Sequence, residues 1–339
     1  MLIEGGLSMN AVTNVEKLFT VINETAEILK KELGCTYIEA VAETGENLFH
    51  NDVIQETVSE LSKKKLMDCY KNIHLDSYAN EEIRKAYQLA VLKGLKEASH
   101  PNHQMTPDTI GLFLSYLINK FLEGQKNIRL LDPAVGTGNL LTTVLNQLND
   151  KKIEASGVDI DDLLLKLACV SANIQQHPIE FFRQDGLKSL FINPVDVVIC
   201  DLPVGYYPDD LNAKQFELKA DKGHSYSHHL FIEQCMKYTK PGGYLFFLIP
   251  NNLFETTEAP KLNTFIKKHA FIQGLLQLPL SLFKKDEFAK SIFILQKKSD
   301  AVKPPKHALL AELPKFSNKQ AMTSIMAQIE EWFQNNKNE

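Results

Sequence analysis

Short apolar segments alternate with helical patterns over residues 101–300, and this alternation is the feature that most constrains the fold. The segments read NIRLLD, IEASGVD, IEFFRQD, VDVVICD, GYLFFLIP, FIQGLLQLP and SIFILQKK. Apolar runs of this length, separated by helices, are typical of parallel strands in a sheet that is covered on both faces. The first five runs end in Asp or Pro. We therefore predict an open α/β sheet whose ligand site lies at the carboxyl edge of the strands.

Residues 14–100 follow helical periodicity instead. In NVEKLFTVINETAEILKKELG, apolar residues recur on one helical face, and Gly34 is expected to end the helix. The segment SDAVKPPK at 299–306 has the composition of a connector. We predict three parts: a helical N-terminal domain at 1–100, the sheet domain at 101–300 and a C-terminal extension at 301–339.

The composition is that of a globular protein, with 44% hydrophobic and 23% charged residues. No apolar run approaches the ~20 residues that a membrane span needs, so no membrane association is expected. The start, MLIEGGLSMNAV, lacks the order of a signal peptide. The five cysteines include no C-x-x-C pair, which favours a cytoplasmic protein without disulfides or zinc.

Charge is distributed unevenly along the chain. From residue 261 onward there are 13 lysines and 7 acids, a balance that is more typical of a solvated lysine-rich surface but that also suits a region facing phosphates. The whole chain has only three arginines, the residue that most often reads guanine and phosphate. Any contact with DNA or RNA by this chain alone is therefore expected to be weak and non-specific.

The segment LLDPAVGTGNLL has the pattern of a strand, a glycine turn and a helix start. Gly136 and Gly138 allow the backbone to approach a ligand closely. A nicotinamide dinucleotide is disfavoured, because the third glycine of G-x-G-x-x-G is replaced by Leu141 and because Asp132 would repel a pyrophosphate. S-adenosylmethionine carries an ammonium and a sulfonium group, and Asp132 suits such a cationic ligand.

Two further acids follow the next two strands. Asp159 comes 21 residues after Gly138, a spacing that suits a carboxylate accepting the ribose hydroxyls. Ile160 is placed to cover one face of the adenine, and Asp185 to accept from the adenine amino group. A single Asp at such a place is more often a helix cap, but three at successive strand ends favour a cofactor site.

These motifs, taken in order, resemble the N6-adenine DNA methylase family, and especially the modification subunit of type I restriction systems. The similar segments are HQMTPDTIGLFLSYLI, DPAVGTGNLL, GVDID, RQDGL, DLPVGYYP, HHLFIEQCMKYTKPGGYLFFLIPNNLF and LPLSLFKKDEFAKSIFILQKK. The resemblance implies a Rossmann-like seven-stranded methyltransferase sheet with an antiparallel last strand. The implied cofactor is S-adenosylmethionine, and the predicted cofactor-binding residues are Thr106, Pro107, Asp132, Pro133, Ala134, Gly136, Gly138, Asn139, Asp159, Ile160, Asp185 and Gly186.

The segment DLPVGYYP aligns with the family's catalytic Asn/Asp-Pro-Pro-Phe/Tyr, but departs from it. Asp201 can accept one hydrogen of a target amino group, and the carbonyl of Leu202 can accept the other. Pro203 keeps one of the two prolines. Val204 stands where an aromatic residue would stack on an extruded base, so Tyr206 or Tyr207 is predicted to replace it. No metal is required, although His224 and His228 have a metal-ligand spacing.

Three functions remain open on these grounds. The first is methylation of the exocyclic amine of adenine in DNA, or in RNA. The second is methylation of another amide or amine, such as a protein glutamine. The third is a non-catalytic cofactor-binding protein with a decayed loop. Type I modification subunits take their recognition from a partner, so a specificity partner protein is a further expectation.

Overall fold

The structure, a computed structural model, describes residues 12–98 and 105–337. The predicted boundary between the first two domains, at residues 100 and 101, lies outside the described residues. The described chain forms two compact units. One contains the described part of Met1–Gln104 together with Val170–His177, and the other contains Met105–Cys169 and the described part of Pro178–Glu339.

The first unit is helical, as predicted. Its helices are α1 (Asn14–Leu33), α2 (Tyr37–His50), α3 (Glu60–Tyr70) and α4 (Asn80–Ala98). Helices α1 and α2 each begin with a capping box, in which Thr13 and Thr36 cap the first turn. Helix α1 ends at the predicted glycine, because Gly34 takes a left-handed φ of 62°.

The second unit is built on one mixed sheet. Its strands are β1 (Asn127–Asp132), β2 (Lys152–Asp159), β3 (Ile179–Arg183), β4 (Val195–Asp201), β5 (Thr239–Pro250), β6 (Ala270–Gln277), β7 (Lys290–Lys297) and β8 (Leu309–Glu312). Its helices are α5 (Asp108–Phe121), α6 (Asn139–Gln147), α7 (Asp162–Ile174, whose last turn belongs to the first unit), α8 (Asp210–Ala213), α9 (Ser227–Tyr238), α10 (Ala259–His269) and α11 (Lys319–Lys337).

The strand order is β3-β2-β1-β4-β5-β7-β6-β8. Every pair of neighbouring strands among β1 to β5 is parallel. Strand β7 runs antiparallel to both β5 and β6. The predicted seven-stranded sheet with an antiparallel last strand is confirmed for β1–β7. The chain adds an eighth strand, β8, which pairs in parallel with β6 at the edge.

Apolar side chains cover both faces of the sheet, which explains the continuous apolar runs in the sequence. On one face Leu130 and Ile294 pack in a core that includes Ile329 and Phe333 of α11. On the other face Val198 and Phe247 pack with residues of α9 and α10. The segment predicted as a C-terminal extension therefore contributes a strand and a helix to this unit. No helix in the described ranges is long and apolar enough to cross a membrane.

The order of the strands fixes where a ligand can bind. Connections run from β1 outward to β2 and β3 on one side, and then to β4 and β5 on the other. The reversal lies between β1 and β4, and open α/β sheets bind ligands in the crevice outside the carboxyl ends at such a point. Asp132 and Asp201 are the last residues of these two strands.

Candidate active site

The glycine loop joins β1 to α6 and uses its two glycines differently. Gly136 and Gly138 have φ of 54° and 74°, a left-handed backbone that other residues rarely adopt. A Cβ on Gly138 would lie 3.0 Å from the Cβ of Ala168, so this glycine permits close packing of α6. A Cβ on Gly136 would meet nothing within 4 Å. The loop therefore leaves open space at Gly136, where a ligand can approach the backbone.

Asp132 is a buried carboxyl without a cationic partner among the described residues. Its side chain is 2% exposed, and its Oδ1 accepts a hydrogen bond of 3.2 Å from the Ala134 amide. Burial above all, together with the charges of Asp159 and Asp201 and against the hydrogen bond from the Ala134 amide, raises the pKa of Asp132 to about 8. A buried carboxylate of this kind is stabilised by a bound cation. The site therefore fits the cationic end of S-adenosylmethionine.

Asp159 ends β2 and faces the glycine loop. Its Oδ2 accepts a hydrogen bond of 2.7 Å from the Gly136 amide, and its Oδ1 accepts one of 3.0 Å from the Asp161 amide. Burial raises the pKa of this carboxyl. A carboxylate offers about four acceptor positions, so half of them remain for ligand hydroxyls. Ile160, the next residue, is 66% exposed beside them.

Asp185 follows β3 and is tied to the catalytic segment. Its Oδ1 accepts from the Leu187 amide at 2.9 Å, and its Oδ2 accepts from the Tyr207 hydroxyl at 2.5 Å. Burial, followed by this hydrogen bond, raises the pKa of Tyr207. Tyr207 is 6% exposed, whereas the predicted alternative of Tyr207 as the stacking residue requires an accessible ring.

Gly186 explains how Asp185 is held close to the glycine loop. A Cβ at Gly186 would lie 2.3 Å from the carbonyl oxygen of Pro133 and 2.9 Å from the ring of Phe231. No other residue leaves room for this approach, so Pro133 and Gly186 are in direct contact. Ala134, the next residue of the loop, is half-buried.

The predicted Thr-Pro segment, Thr106 and Pro107, links the glycine loop to the loop that begins at Asp201. The Thr106 hydroxyl donates to Asp201 Oδ2 at 2.8 Å, and the Thr106 carbonyl accepts from Asn139 Nδ2 at 3.1 Å. Pro107 is exposed and precedes the first residue of α5. Asn139 is the first residue of α6, so this segment contacts both the glycine loop and the end of β4.

The segment DLPVGYYP forms a loop that is anchored at both ends and exposed in the middle. Leu202 is 1% exposed, and its amide donates to the carbonyl of Leu248 at 3.2 Å. Pro203 and Val204 are exposed, and Val204 presents no aromatic ring. Beyond them Tyr206 is 62% exposed and stacks on Tyr226, with ring centroids 5.0 Å apart and planes inclined by 16°.

Lys290 is a residue of this site that the sequence analysis missed. Its Nζ donates a hydrogen bond to Asp201 Oδ1 and forms an ion pair with that carboxylate. The signal was available, because β7 is antiparallel to its neighbours. The first residue of an antiparallel strand lies at the same edge as the last residues of the parallel strands. Lys290 is that first residue.

Two buried histidines lie behind the stacked tyrosines. Tyr226 is 5.1 Å from the ring of His228 and 5.3 Å from that of His229, measured between centroids. Burial lowers their pKa values to about 3 and about 4, so both imidazoles are neutral at pH 7. The described residues contain no group of three or more His, Cys, Asp or Glu side chains arranged to hold a metal ion.

Two family models match the chain. One, described as the YtxK N-terminal helical domain, matches residues 16–95, and the other, described as N-6 DNA Methylase, matches residues 96–339. The chain is 54% identical over 325 residues to the uncharacterized protein YtxK of Bacillus subtilis (strain 168). The aligned region covers 96% of this chain and 99% of that relative.

Solved structures give the same result. A protein from Listeria monocytogenes, described as a putative class I S-adenosylmethionine-dependent methyltransferase, is 52% identical, with a TM-score of 0.89 over 94% of this chain and 99% of its own. The methyltransferase subunit of a type I restriction-modification system from Streptococcus thermophilus is 14% identical and shares the fold, with a TM-score of 0.65 over 95% of this chain and 74% of its own. The chain thus belongs to the N-6 DNA methylase family and is an S-adenosylmethionine-dependent methyltransferase.

Proposed function

We propose that the chain transfers the methyl group of S-adenosylmethionine to the exocyclic amino group of adenine in DNA. The observation that supports this most is that one loop carries both an acceptor carboxylate, Asp201, and an exposed aromatic side chain, Tyr206. The carboxylate ends β4 at the carboxyl edge, and Tyr206, five residues later, stacks on Tyr226 and remains 62% exposed. An extruded base needs both a flat stacking partner and an acceptor for its amino hydrogens.

The chemistry asks little else of the protein. The exocyclic nitrogen of adenine is a poor nucleophile, because its lone pair is delocalised into the ring. If Asp201 and the Leu202 carbonyl accept its two hydrogens, the nitrogen becomes more tetrahedral and its lone pair turns towards the methyl group. A nitrogen–carbon bond then forms, the sulfur–carbon bond breaks, and one amino proton leaves for solvent.

The residues around the glycine loop have matching roles in this proposal. Asp132 faces the cationic end of the cofactor, Asp159 accepts from the ribose hydroxyls, and Asp185 accepts from the adenine amino group. Asp185 already accepts from the Leu187 amide and the Tyr207 hydroxyl, so cofactor binding brings a third donor to the same carboxylate. Gly136 supports this assignment through the open space next to its backbone.

Cofactor affinity is expected to rise with pH up to about pH 8. Asp132 has a pKa of about 8 without ligand, and a cation binds to its ionised form. Below that pKa, binding must release a proton, so affinity falls by at most about tenfold per pH unit. Calorimetry in two buffers with different ionisation enthalpies measures the released proton. Asp132→Asn should remove the slope, whereas a wild-type affinity that is flat from pH 6 to 8 contradicts the role of Asp132.

Tyr206→Ala is expected to lower turnover of an adenine substrate by about 10- to 100-fold, because base stacking contributes ~1–3 kcal/mol. Tyr206→Phe keeps the ring and should retain most of the activity. Val204→Tyr in the Tyr206→Ala background restores an aromatic ring at the position where the family carries one, and should recover turnover. Steady-state rates with a single-stranded oligonucleotide decide this. Full activity of Tyr206→Ala rules out the relocated platform.

DNA binding by the chain alone is expected to be weak, salt-sensitive and nearly blind to sequence. Each of the three arginines pairs with an acid: Arg84 with Glu81, Arg129 with Glu154 and Arg183 with Asp162. Kd values of about 10⁻⁵ M are expected at physiological salt, as for other non-specific complexes. A titration of duplex and single-stranded DNA at two salt concentrations measures this, and nanomolar, sequence-selective binding would refute it. Sequence selection is then left to a specificity partner protein.

A labelled-methyl transfer assay tests the proposed function directly. The purified chain is incubated with methyl-labelled S-adenosylmethionine and with DNA, RNA or a glutamine-containing peptide, and sequencing for methyladenine compares a deletion strain with wild type. The expected result is labelled-methyl transfer to DNA by the purified chain, together with methyladenine sites that are present in wild type and absent from the deletion strain. Transfer to RNA or the peptide instead would replace the substrate. Cofactor binding without transfer to any of them would favour the non-catalytic alternative.

A further inference from the structure

We propose that Lys290 and Asp201 act as a pair that recognises the target amino group together with the hydrogen-bond acceptor next to it. In this proposal Asp201 Oδ1 accepts a hydrogen from the target amine, and Lys290 Nζ donates to the neighbouring ring nitrogen of adenine. Lys290 is thus a positioning residue that selects the class of acceptor. This inference rests on the proposed function and deepens it.

The geometry leaves both groups available to a substrate. The Lys290 and Asp201 side chains are 20% and 22% exposed, so the pair is reachable from solvent. Among the described residues, Lys290 Nζ donates to Asp201 alone, and an ammonium has three hydrogens to give. Asp201 accepts from Lys290 and Thr106, which leaves about two of its four acceptor positions.

The pair presents an acceptor oxygen and a donor nitrogen side by side. The side-chain amide of Asn or Gln offers the same arrangement, and it pairs with adenine through the amino group N6 and the ring nitrogen N7. In adenine N6 lies between two ring nitrogens, N1 and N7, and either completes such a pair. The amide of a Gln side chain also presents a donor beside an acceptor, but the exposed Tyr206–Tyr226 stack favours a flat ring.

The same pair disfavours alkyl ammonium substrates. A protonated amine offers only donors, so it gives no acceptor to the Lys290 hydrogens that are not bonded to Asp201. It would also bring a second positive charge next to Lys290, and like charges at this distance repel. Protein lysines and polyamines are therefore excluded as acceptors, whereas a neutral amino group on a heteroaromatic ring fits the site.

The test is a cycle between Lys290 and the ring nitrogens of the substrate. Fluorescently labelled single strands carry one adenine, one 1-deazaadenine or one 7-deazaadenine, and their Kd values are measured with saturating S-adenosylhomocysteine. For wild type, one of the two deaza strands should bind about 5- to 150-fold more weakly than adenine. Lys290→Met should weaken adenine binding by a similar factor but be insensitive to that deaza change. Lys290→Arg, which keeps a charged donor, should restore the sensitivity.

The outcomes separate this inference from the proposed function. If wild type and Lys290→Met lose the same factor with both deaza strands, Lys290 does not contact a ring nitrogen and the inference fails, while adenine turnover by wild type would still support the function. If wild type binds cofactor but neither binds adenine selectively nor methylates it, the inference about Lys290 and the proposed function both fail. If the protein binds a glutamine peptide more tightly than the adenine strand, the inference that Lys290 bonds to a ring nitrogen of adenine also fails. Cofactor calorimetry on each variant confirms that it is folded.

Discussion

Replacing Asp201 by alanine is expected to lower turnover by about 10²- to 10³-fold or more, because it removes an acceptor aimed at the reacting amine. Asp201 ends β4, and among the described residues its hydrogen-bond partners are Thr106 and Lys290 rather than the glycine loop; its charge acts on the cofactor site only by raising the pKa of Asp132. Cofactor affinity should therefore change by no more than about threefold. The measurement combines single-turnover rates with calorimetry for S-adenosylmethionine.

Asp201→Asn is the matched control for this prediction. The amide keeps an acceptor oxygen and the size of the side chain, and the family that the sequence resembles carries either Asn or Asp at this position. We expect partial activity from Asp201→Asn, well above that of Asp201→Ala. Equal activity in Asp201→Ala and wild type would show that another group accepts the amine hydrogens, and the proposed function would lose its main support.

The positions of the acids at the strand ends could be predicted from the sequence because the relevant signals are local. Asp132, Asp159 and Asp185 each follow an apolar run, and the carboxyl ends of parallel strands meet at one edge. The structure places Asp132 and Asp159 close enough for their charges to interact, since Asp159 raises the pKa of Asp132. The glycine turn could also be predicted from local sequence, and Gly136 and Gly138 both have a left-handed φ in the structure.

The contacts of the catalytic loop could not be predicted in the same way. That Tyr207 is buried and Tyr206 exposed depends on how the loop packs, and the loop pairs with the chain before α9, where Tyr206 and Tyr226 form an antiparallel bridge. Tyr206 and Tyr207 are adjacent, and no sequence signal shows which of the two is exposed. Strand β8 was missed for another reason: LLAE is only four residues long, too short to show a strand pattern.

The change from proline to leucine at position 202 is intelligible only in the folded protein. Leu202 packs in the core on the α9 side of the sheet, with Tyr207 in the same cluster. An apolar side chain at each end of the exposed stretch anchors the loop, where the family uses the stiffness of two prolines. The aromatic surface is then supplied from position 206 and supported by Tyr226.

Asp159→Ala is expected to weaken S-adenosylmethionine binding by about 30- to 150-fold, which corresponds to ~2–3 kcal/mol for the loss of a charged acceptor. Two effects act in the same direction. The ribose hydroxyls lose their acceptor, and the Gly136 amide loses the carboxylate that holds it at 2.7 Å. Turnover at saturating cofactor should fall far less than in Asp201→Ala, because Asp159 lies on β2, two strands away from β4.

The control for Asp159→Ala is Asp162→Ala, which removes a nearby charge from the same connection. Asp162 is 66% exposed and pairs with Arg183, so its loss leaves the glycine loop untouched. Calorimetry should give a near wild-type Kd for Asp162→Ala, since an exposed ion pair contributes only about 0–1 kcal/mol. If Asp159→Ala and Asp162→Ala weaken binding equally, the effect is one of general charge. If Asp159→Ala and Asp201→Ala weaken it equally, the division between a cofactor acid and a catalytic acid is wrong.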